Sequence, residues 1–462
     1  MSTGPRGGRV SVPSRGAGSR LDAYIDRYAA RTRGMTASEI RALFAVASRP
    51  EVVSLAGGMP YLPALPLDAV GDSLARLVAE RGTQAMQYGS GQGDEVLREQ
   101  ICRIMSLVGI EGHPDDVVVT VGSQQALDLV TRIFCDPGDV VLAEAPSYVG
   151  ALGVFRAYQC EVVHVEMDGD GLVPDRLREA LASLADAGRR VKFLYTIPNF
   201  HNPAGVSLSP ARRREVLDIC GEAGLLVLED DPYGLLGFDG EPPRALRADD
   251  PDGVIYLGSF SKTFAPGFRV GWALAPHAVR EKLVLAAEAA VLCPPMFSQL
   301  AVSEYLATQP WQEQVKTFRE LYRERRDATL EALAAHFPAG ATWTRPGGGF
   351  YVWVTLPEGL DSAAMLPRAV TQRVAYVPGT AFYADGFGSR NLRLSYCYPT
   401  PERIREGVRR LATVLDEELE LRATFVGPST GPGAASGTGP SIGPGTGPGP
   451  RHGIDSPAPD LS

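Results

Sequence analysis

Residues 254–271 read VIYLGSFSKTFAPGFRVG. The first four, 254–257, form a short unbroken apolar run, the mark of a strand buried on both faces. Behind it, in residues 258–271, one lysine stands among hydroxyls, an aromatic ring and glycines, seven residues before an arginine. Surface lysines are usually flanked by other charge; Lys262 instead sits at the C-terminal end of an expected buried strand. Desolvation and a neighbouring cation both lower a lysine's pKa, as imine chemistry requires of an amine nucleophile. Lys262 and Arg269, with Ser259 and Ser261, therefore suit an imine beside a phosphate.

Working outward, similar runs at 117–121, 140–143, 162–165, 191–197 and 225–228 alternate with helical periods at 123–134, 174–185 and 209–223. That βαβα rhythm predicts an α/β fold with a mostly parallel sheet. After Pro276 the rhythm changes. Helices at 278–291, 297–306 and 311–336 precede strands at 349–356, near Ala375 and at 392–396, and a helix runs from Pro401 to about Leu421, which predicts a smaller α+β domain.

Open α/β sheets bind ligands beyond the C-terminal ends of their strands, and three more polar segments stand there. VGSQQAL, 121–127, places a glycine and a serine at a helix start, an anion site with Ser123 and Gln124 as added donors, or a simple N-cap. PNFHNPAG, 198–205, is a stiff loop that aims Asn202. EDDPYG, 229–234, has three adjacent carboxylates, ordinarily solvated; one pointed into a pocket needs a cationic partner, and Asp230 and Tyr233 are placed to share such a pocket.

Other signals fail. Gly89, Gly91 and Gly93 give GxGxG with no strand before it, SxxK at 259–262 has no companion SDN or KTG element, and the six His show no metal-ligand spacing. With 45 Lys+Arg against 54 Asp+Glu, net charge −9, the chain has little general attraction for nucleic acid or an anionic membrane. No apolar run approaches the roughly 18 residues of a membrane span. Six scattered cysteines without a CxxC pair read as reduced thiols of a cytoplasmic protein. Residues 1–20, with four Arg, no acid and many Gly, Ser and Pro, read as a disordered tail rather than a transit peptide; 427–450, with nine Gly and six Pro, reads likewise.

Together these segments resemble the fold type I, pyridoxal phosphate (PLP) dependent aminotransferases of class I/II, and in particular the 2-aminoadipate and kynurenine branch, over about 38–415. The resemblance implies a large PLP-binding domain at 66–306 with a mostly parallel seven-stranded sheet, a small α+β domain at 307–422, an arm and part of the small domain at 21–65, and tails at 1–20 and 423–462. It implies that Lys262 holds PLP as an imine and then carries a proton between the substrate's Cα and the cofactor. Asp230 would pair with the pyridine nitrogen, and Tyr233 and Asn202 with the phenolic oxygen. Ser123, Gln124, Ser259, Ser261 and Arg269 match the phosphate cup, and Tyr148 the stacked ring. Arg393, in NLRLSY, matches the clamp for the substrate α-carboxylate; Gly57 and Gly58 match a loop that lets backbone approach the substrate. Tyr88 matches a tyrosine that reaches the neighbouring subunit's cofactor, implying a homodimer with shared sites.

An L-amino acid and a 2-oxo acid such as 2-oxoglutarate are the implied substrates. The same electron sink also serves elimination, decarboxylation and racemisation. A non-enzymatic regulator of the MocR type would need a helix-turn-helix domain, for which the stretch before Ser38 is too short. Users of 2-aminoadipate place an arginine four residues before the serine matching Ser38; here Gly34 stands there, with Arg33 one place earlier. With Tyr61, Tyr88, Tyr148, Tyr233 and Phe350 as expected walls, aromatic or long aliphatic donors are expected.

Overall fold

The computed structural model describes residues 24–34 and 49–426. Ser38 and the two tails, apart from 423–426, lie outside the described residues. The chain falls into two units, Met1–Leu419 and Glu420–Ser462. Everything below belongs to the first, save the last turns of the C-terminal helix.

In chain order the strands are β1 (Val53–Ser54), β2 (Val117–Val121), β3 (Val140–Ala145), β4 (Glu161–Asp168), β5 (Gly171–Leu172), β6 (Val191–Thr196), β7 (Leu226–Asp230), β8 (Val254–Ser259) and β9 (Val270–Leu274). β2 to β9 form one sheet in the order β2-β9-β8-β7-β6-β3-β4-β5. The neighbours from β8 through β4 are parallel, whereas β9 runs antiparallel to both β2 and β8. The seven strands that the resemblance implies are present, and the two-residue β5 pairs with β4 at the edge. β9 answers to none of the apolar runs picked out from the sequence.

Helices α1 (Leu67–Ala85), α2 (Glu95–Met105), α3 (Ser123–Phe134), α4 (Val149–Ala157), α5 (Pro174–Asp186), α6 (Pro210–Glu222), α7 (His277–Val291), α8 (Met296–Thr308) and α9 (Trp311–His336) surround the sheet or follow it. Alternation along the strands sends Val141, Ala143, Phe193, Tyr195 and Leu228 to one apolar layer and Val140, Leu142, Leu194 and Val227 to another. Both faces are thus buried, which is why the strands read as continuous Val/Ile/Leu runs.

A second sheet follows: β10 (Thr342–Trp343), β11 (Tyr351–Thr355), β13 (Val377–Pro378) and β14 (Asn391–Ser395) are ordered β10-β11-β14-β13, all antiparallel. Near Ala375 the single expected strand is two pieces, because β12 (Val374–Ala375) pairs with β1 while β13 pairs with β14. Helices α10 (Ser362–Thr371) and α11 (Pro401–Val426) complete the described chain, α11 outrunning its expected end at Leu421. Among the described residues no helix is long and apolar enough to cross a membrane.

Candidate active site

The C-terminal ends of β3, β6, β7 and β8 face a cavity of about 380 Å³. Its floor begins at Asp230, the last residue of β7. Asp230 Oδ2 accepts the Tyr195 hydroxyl at 2.9 Å, whereas Oδ1 is buried without a partner. Burial, with Asp231 alongside, pushes this carboxyl up to about 7 against the pull of Tyr195 and Lys262. A buried oxygen left open toward a cavity suits a cationic N–H.

Contrary to the solvated reading, all three carboxylates of 229–231 are buried. Glu229 accepts the Leu246 and Arg247 N–H groups, each at 2.9 Å. Asp231 accepts from Asn199 at 3.1 Å, the Gly234 N–H at 2.9 Å and Tyr256 at 3.2 Å. Only Asp230 keeps an oxygen for a ligand.

Lys262, three residues past β8, donates to the Gly58 carbonyl at 2.7 Å. Its pKa is lowered to about 8, chiefly by burial, with Arg393 and Arg269 adding to the effect. Lowered to about 8, the amine is neutral in roughly one molecule in ten at pH 7, against fewer than about one in a thousand for an ordinary lysine, and the neutral form is the nucleophile.

Beside it lies an anion cradle. Helix α3 starts after Gly122 (φ 71), so the N-cap is Gly122, which has no side chain to cap with, and Ser123 is the first helical residue instead of the cap. β9 crosses close by: a Cβ at Gly271 would fall 2.5 Å from the Ser123 nitrogen, and one at Gly122 2.4 Å from Arg269 Nη2. Arg269 itself adopts φ 54, rare for a residue with a side chain, and donates to the Val121 carbonyl at 3.2 Å. Ser259 and Ser261 join hydroxyls at 2.9 Å. Free N–H groups at a helix start, two hydroxyls and a guanidinium fit a phosphate. Gln124 does less here than expected, since its amide serves the Gly150 carbonyl at 3.0 Å and the Tyr148 hydroxyl at 3.3 Å. It props the Tyr148 ring, whose own pKa burial pushes up to about 12.

Across the cavity, Arg393 on β14 is almost fully buried. It donates to Asn202 Oδ1 at 2.8 Å and the Ala56 carbonyl at 2.6 Å, and its Nε has no partner. Its guanidinium carbon lies 4.1 Å from the Tyr351 ring centroid and 5.0 Å from that of Phe382. Tyr233, buried, faces the Tyr351 hydroxyl at 3.4 Å.

Lys262, Asp230, Tyr233, Asn202, Ser123, Gln124, Tyr148, Ser259, Ser261, Arg269, Arg393 and Gly58 all line this one cavity. Gly57 does not, though its neighbour does. Tyr88 is 77% exposed and also lies off the cavity wall. Tyr61 and Phe350 are corrections: Tyr61 packs under Arg325, and Phe350 is buried behind Tyr233 while the next residue, Tyr351, lines the cavity. Sequence reasoning missed Tyr195 and Tyr351, both of which read as ordinary strand aromatics.

The model of aminotransferase class I and II matches residues 50–411. The chain is 42% identical to the aromatic-amino-acid aminotransferase 1 of Thermococcus litoralis over 86% of its own length and 96% of that protein's. It is 41% identical to the 2-aminoadipate transaminase of Thermus thermophilus, covering 83% and 95%. Among solved structures, the Pyrococcus horikoshii kynurenine aminotransferase, in complex with PMP, superposes with a TM-score of 0.82 at 39% identity, covering 87% of this chain and all of that one. A phosphate cradle, a depressed lysine and an open carboxylate thus sit in a scaffold that matches these enzymes along nearly their whole length, and the chain belongs to the class I and II aminotransferases, in the aminoadipate and kynurenine branch, as a PLP-dependent enzyme that transaminates amino acids.

Proposed function

We propose that the preferred amino donor carries an aromatic or long aliphatic side chain, with a 2-oxo acid such as 2-oxoglutarate as acceptor. The observation that carries this reading is the cavity wall. Met59, Tyr148, Val149, Ile197, Pro232 and Tyr351 are apolar or aromatic, and the cations that line it are Lys262, Arg269 and Arg393. Each of these already has a task in the cofactor or carboxylate subsites, so among the described residues none is left for a second carboxylate. Burying a large apolar side chain against such walls yields on the order of 1.5 to 3 kcal/mol, and a charged one gains little.

Within this reading PLP supplies the electron sink, and the chain supplies position and protons. Arg269, Ser259, Ser261, Ser123 and the start of α3 would hold the phosphate, and Tyr148, propped by Gln124, would stack on the ring. Asp230, whose Oδ1 is unpartnered, would take the pyridine N–H, and Asn202 and Tyr233, on the same cavity wall, would serve the phenolic oxygen. Lys262 would hold the cofactor and move the proton at the substrate's Cα. Arg393, oriented by Asn202, would clamp the α-carboxylate shared by donor and acceptor, with Gly58 on the same cavity wall. The test is the ratio of kcat/KM for phenylalanine, leucine, 2-aminoadipate and aspartate in wild type and in Arg33→Ala. Phenylalanine or leucine is expected to lead. A lead for 2-aminoadipate of about tenfold, or 1.4 kcal/mol, lost in the variant, overturns the apolar preference and makes Arg33 the side-chain clamp.

The working unit in this proposal is a homodimer with shared sites. Tyr88 and Met86 are 77% and 72% exposed, and their segment runs against the α7–α8 junction: a Cβ at Gly89 would fall 2.1 Å from Met296 Sδ. Exposed Leu292 and Phe297 flank that junction, so an apolar patch awaits cover. Mixing inactive Lys262→Ala and Tyr88→Ala chains is expected to restore activity in hybrid dimers; failure to complement in demonstrated heterodimers overturns the shared site. The six free thiols suit a reducing cytoplasm.

A further inference from the structure

Behind the Arg393–Asn202 pair lies a buried group to which neither the sequence motifs nor the cofactor chemistry assigns a part. Glu144, on β3, is 1% exposed and His201 is fully buried. Glu144 Oε1 accepts the Thr196 hydroxyl at 2.8 Å; Oε2 accepts the Ile197 N–H at 2.8 Å and lies 3.1 Å from His201 Nε2. His201 Nδ1 accepts the Ala204 N–H at 3.2 Å, which leaves the proton of a neutral ring to Nε2; that nitrogen lies beside the carboxylate but makes no aligned hydrogen bond to it or to any other group. A buried carboxylate is retained only when its oxygens are satisfied, and here the Thr196 hydroxyl and the Ile197 N–H at the end of β6 satisfy one oxygen each, while His201 in the loop after it stands in close charge contact.

That loop carries Asn202. His201 is its pivot: the Gly205 N–H donates to the His201 carbonyl at 2.6 Å, and the His201 N–H to the Val206 carbonyl at 2.8 Å. One residue on, Asn202 Oδ1 takes Arg393 Nη1. A second arm leaves the same glutamate. Its main-chain carbonyl lies 3.1 Å from His164 Nδ1, while His164 Nε2 accepts the Ala384 N–H at 2.9 Å. Just past the end of β3, the Ser147 N–H donates to the Phe382 carbonyl at 2.8 Å, and Phe382 is a ring against which Arg393 lies. The end of β3 is therefore fastened to two of the guanidinium's neighbours, one supplying a hydrogen-bond acceptor and one a packing face.

We propose that Glu144 and His201 are positioning residues for the substrate-carboxylate clamp. Neither touches substrate. The pair fixes the 198–206 loop so that Asn202 holds the Arg393 fork in register, and an error of about an ångström in such a clamp is felt in binding. The proposal rests on the reading of Arg393 as the clamp.

The test uses the holoenzymes of wild type, His201→Leu, His201→Gln, Glu144→Gln and Arg393→Lys. Melting temperature, kcat and KM are measured with phenylalanine, and single-turnover rate with phenethylamine, which has the same side chain but no carboxylate. His201→Leu is expected to raise KM for phenylalanine about tenfold with kcat within about threefold and the phenethylamine rate unchanged. His201→Gln, which keeps an N–H within reach of Glu144, is expected to restore most of the loss, and Glu144→Gln to shift KM in the same direction as His201→Leu. A lowered melting temperature with unchanged KM, or an equal loss with both amines, overturns the proposal by making the pair merely structural. Should His201→Leu yield no folded protein, Glu144→Gln decides by the same split. An Arg393→Lys enzyme that loses phenylalanine and phenethylamine equally removes the clamp reading and the proposal with it; a selective loss there beside an unchanged His201→Leu and Glu144→Gln removes the proposal alone.

Discussion

Lys262→Ala is expected to lose multiple turnover by at least about 10⁴-fold, the upper range of what a placed proton-transfer group contributes, with the added loss of the covalent tether. Four lysines occur in the chain, and the choice among them is physical. Lys192 is paired with Asp139 and Lys316 with Glu313, and neither they nor Lys282 line the cavity. Lys262 alone lines it, held at about 8 by burial. A guanidinium stays protonated at every working pH, so Lys262→Arg is not expected to rescue. Borohydride reduction of the wild-type holoenzyme followed by peptide mapping should place the pyridoxyl mass on the Lys262 peptide, and label elsewhere overturns the assignment. Because the neutral amine is the reactive form and its fraction grows as pH rises toward and past about 8, reconstitution of the cofactor-free chain with PLP should accelerate over that range and then level. A rate flat from pH 6 to 9 contradicts a titrating Lys262 as the attacking group.

Why this lysine was legible in the sequence, when other parts of the site were not, follows from contrast with local surroundings. Lys262, Asp230, Asn202 and Arg269 are polar oddities directly after apolar runs, and such runs announce strand ends. The run 117–121 coincides with β2 because a strand buried on both faces has no polar face to blur its limits. β9 escaped notice because VGWAL, with a glycine second, looks like neither an apolar run nor an alternation; its pairing to β2 and β8 specifies it, and Gly271 is required by the approach of Ser123. Tyr195 and Tyr351 carry hydroxyls into the site from strands where an aromatic is ordinarily core. Choosing Phe350 over Tyr351 is an error of one residue, which in extended chain exchanges one face for the other. Glu229 and Asp231 looked solvated since their partners, the N–H groups at 246–247 and the side chains of Asn199 and Tyr256, are distant in sequence.

Asp230→Asn is expected to cut turnover by several orders of magnitude while leaving part of the cofactor binding intact, since the phosphate cradle is untouched and an amide cannot keep the pyridine nitrogen charged. Asp231→Asn should instead cost stability more than turnover, because both Asp231 oxygens are spent on Asn199, Gly234 and Tyr256; near wild-type turnover in Asp230→Asn would pass the role to another carboxylate. The same residue makes stability depend on pH. In the chain without cofactor, the Asp230 carboxyl stands at about 7, raised from 3.8 by burial. Between those values the folded state keeps a proton that the unfolded chain has released, so stability falls as pH rises through that window. Glu229, raised to about 7 for the same reason, pulls in the same direction, which is why the difference between two proteins is needed. The urea midpoint of cofactor-free wild type should fall from pH 5 to pH 7.5 by more than that of cofactor-free Asp230→Asn. With PLP bound, a cation beside Oδ1 favours the ionised carboxylate and the gap should close. Equal pH slopes in the two cofactor-free proteins would mean that Asp230 is not the buried acid that titrates there, and the open oxygen at the cavity floor would lose its claim on the pyridine nitrogen.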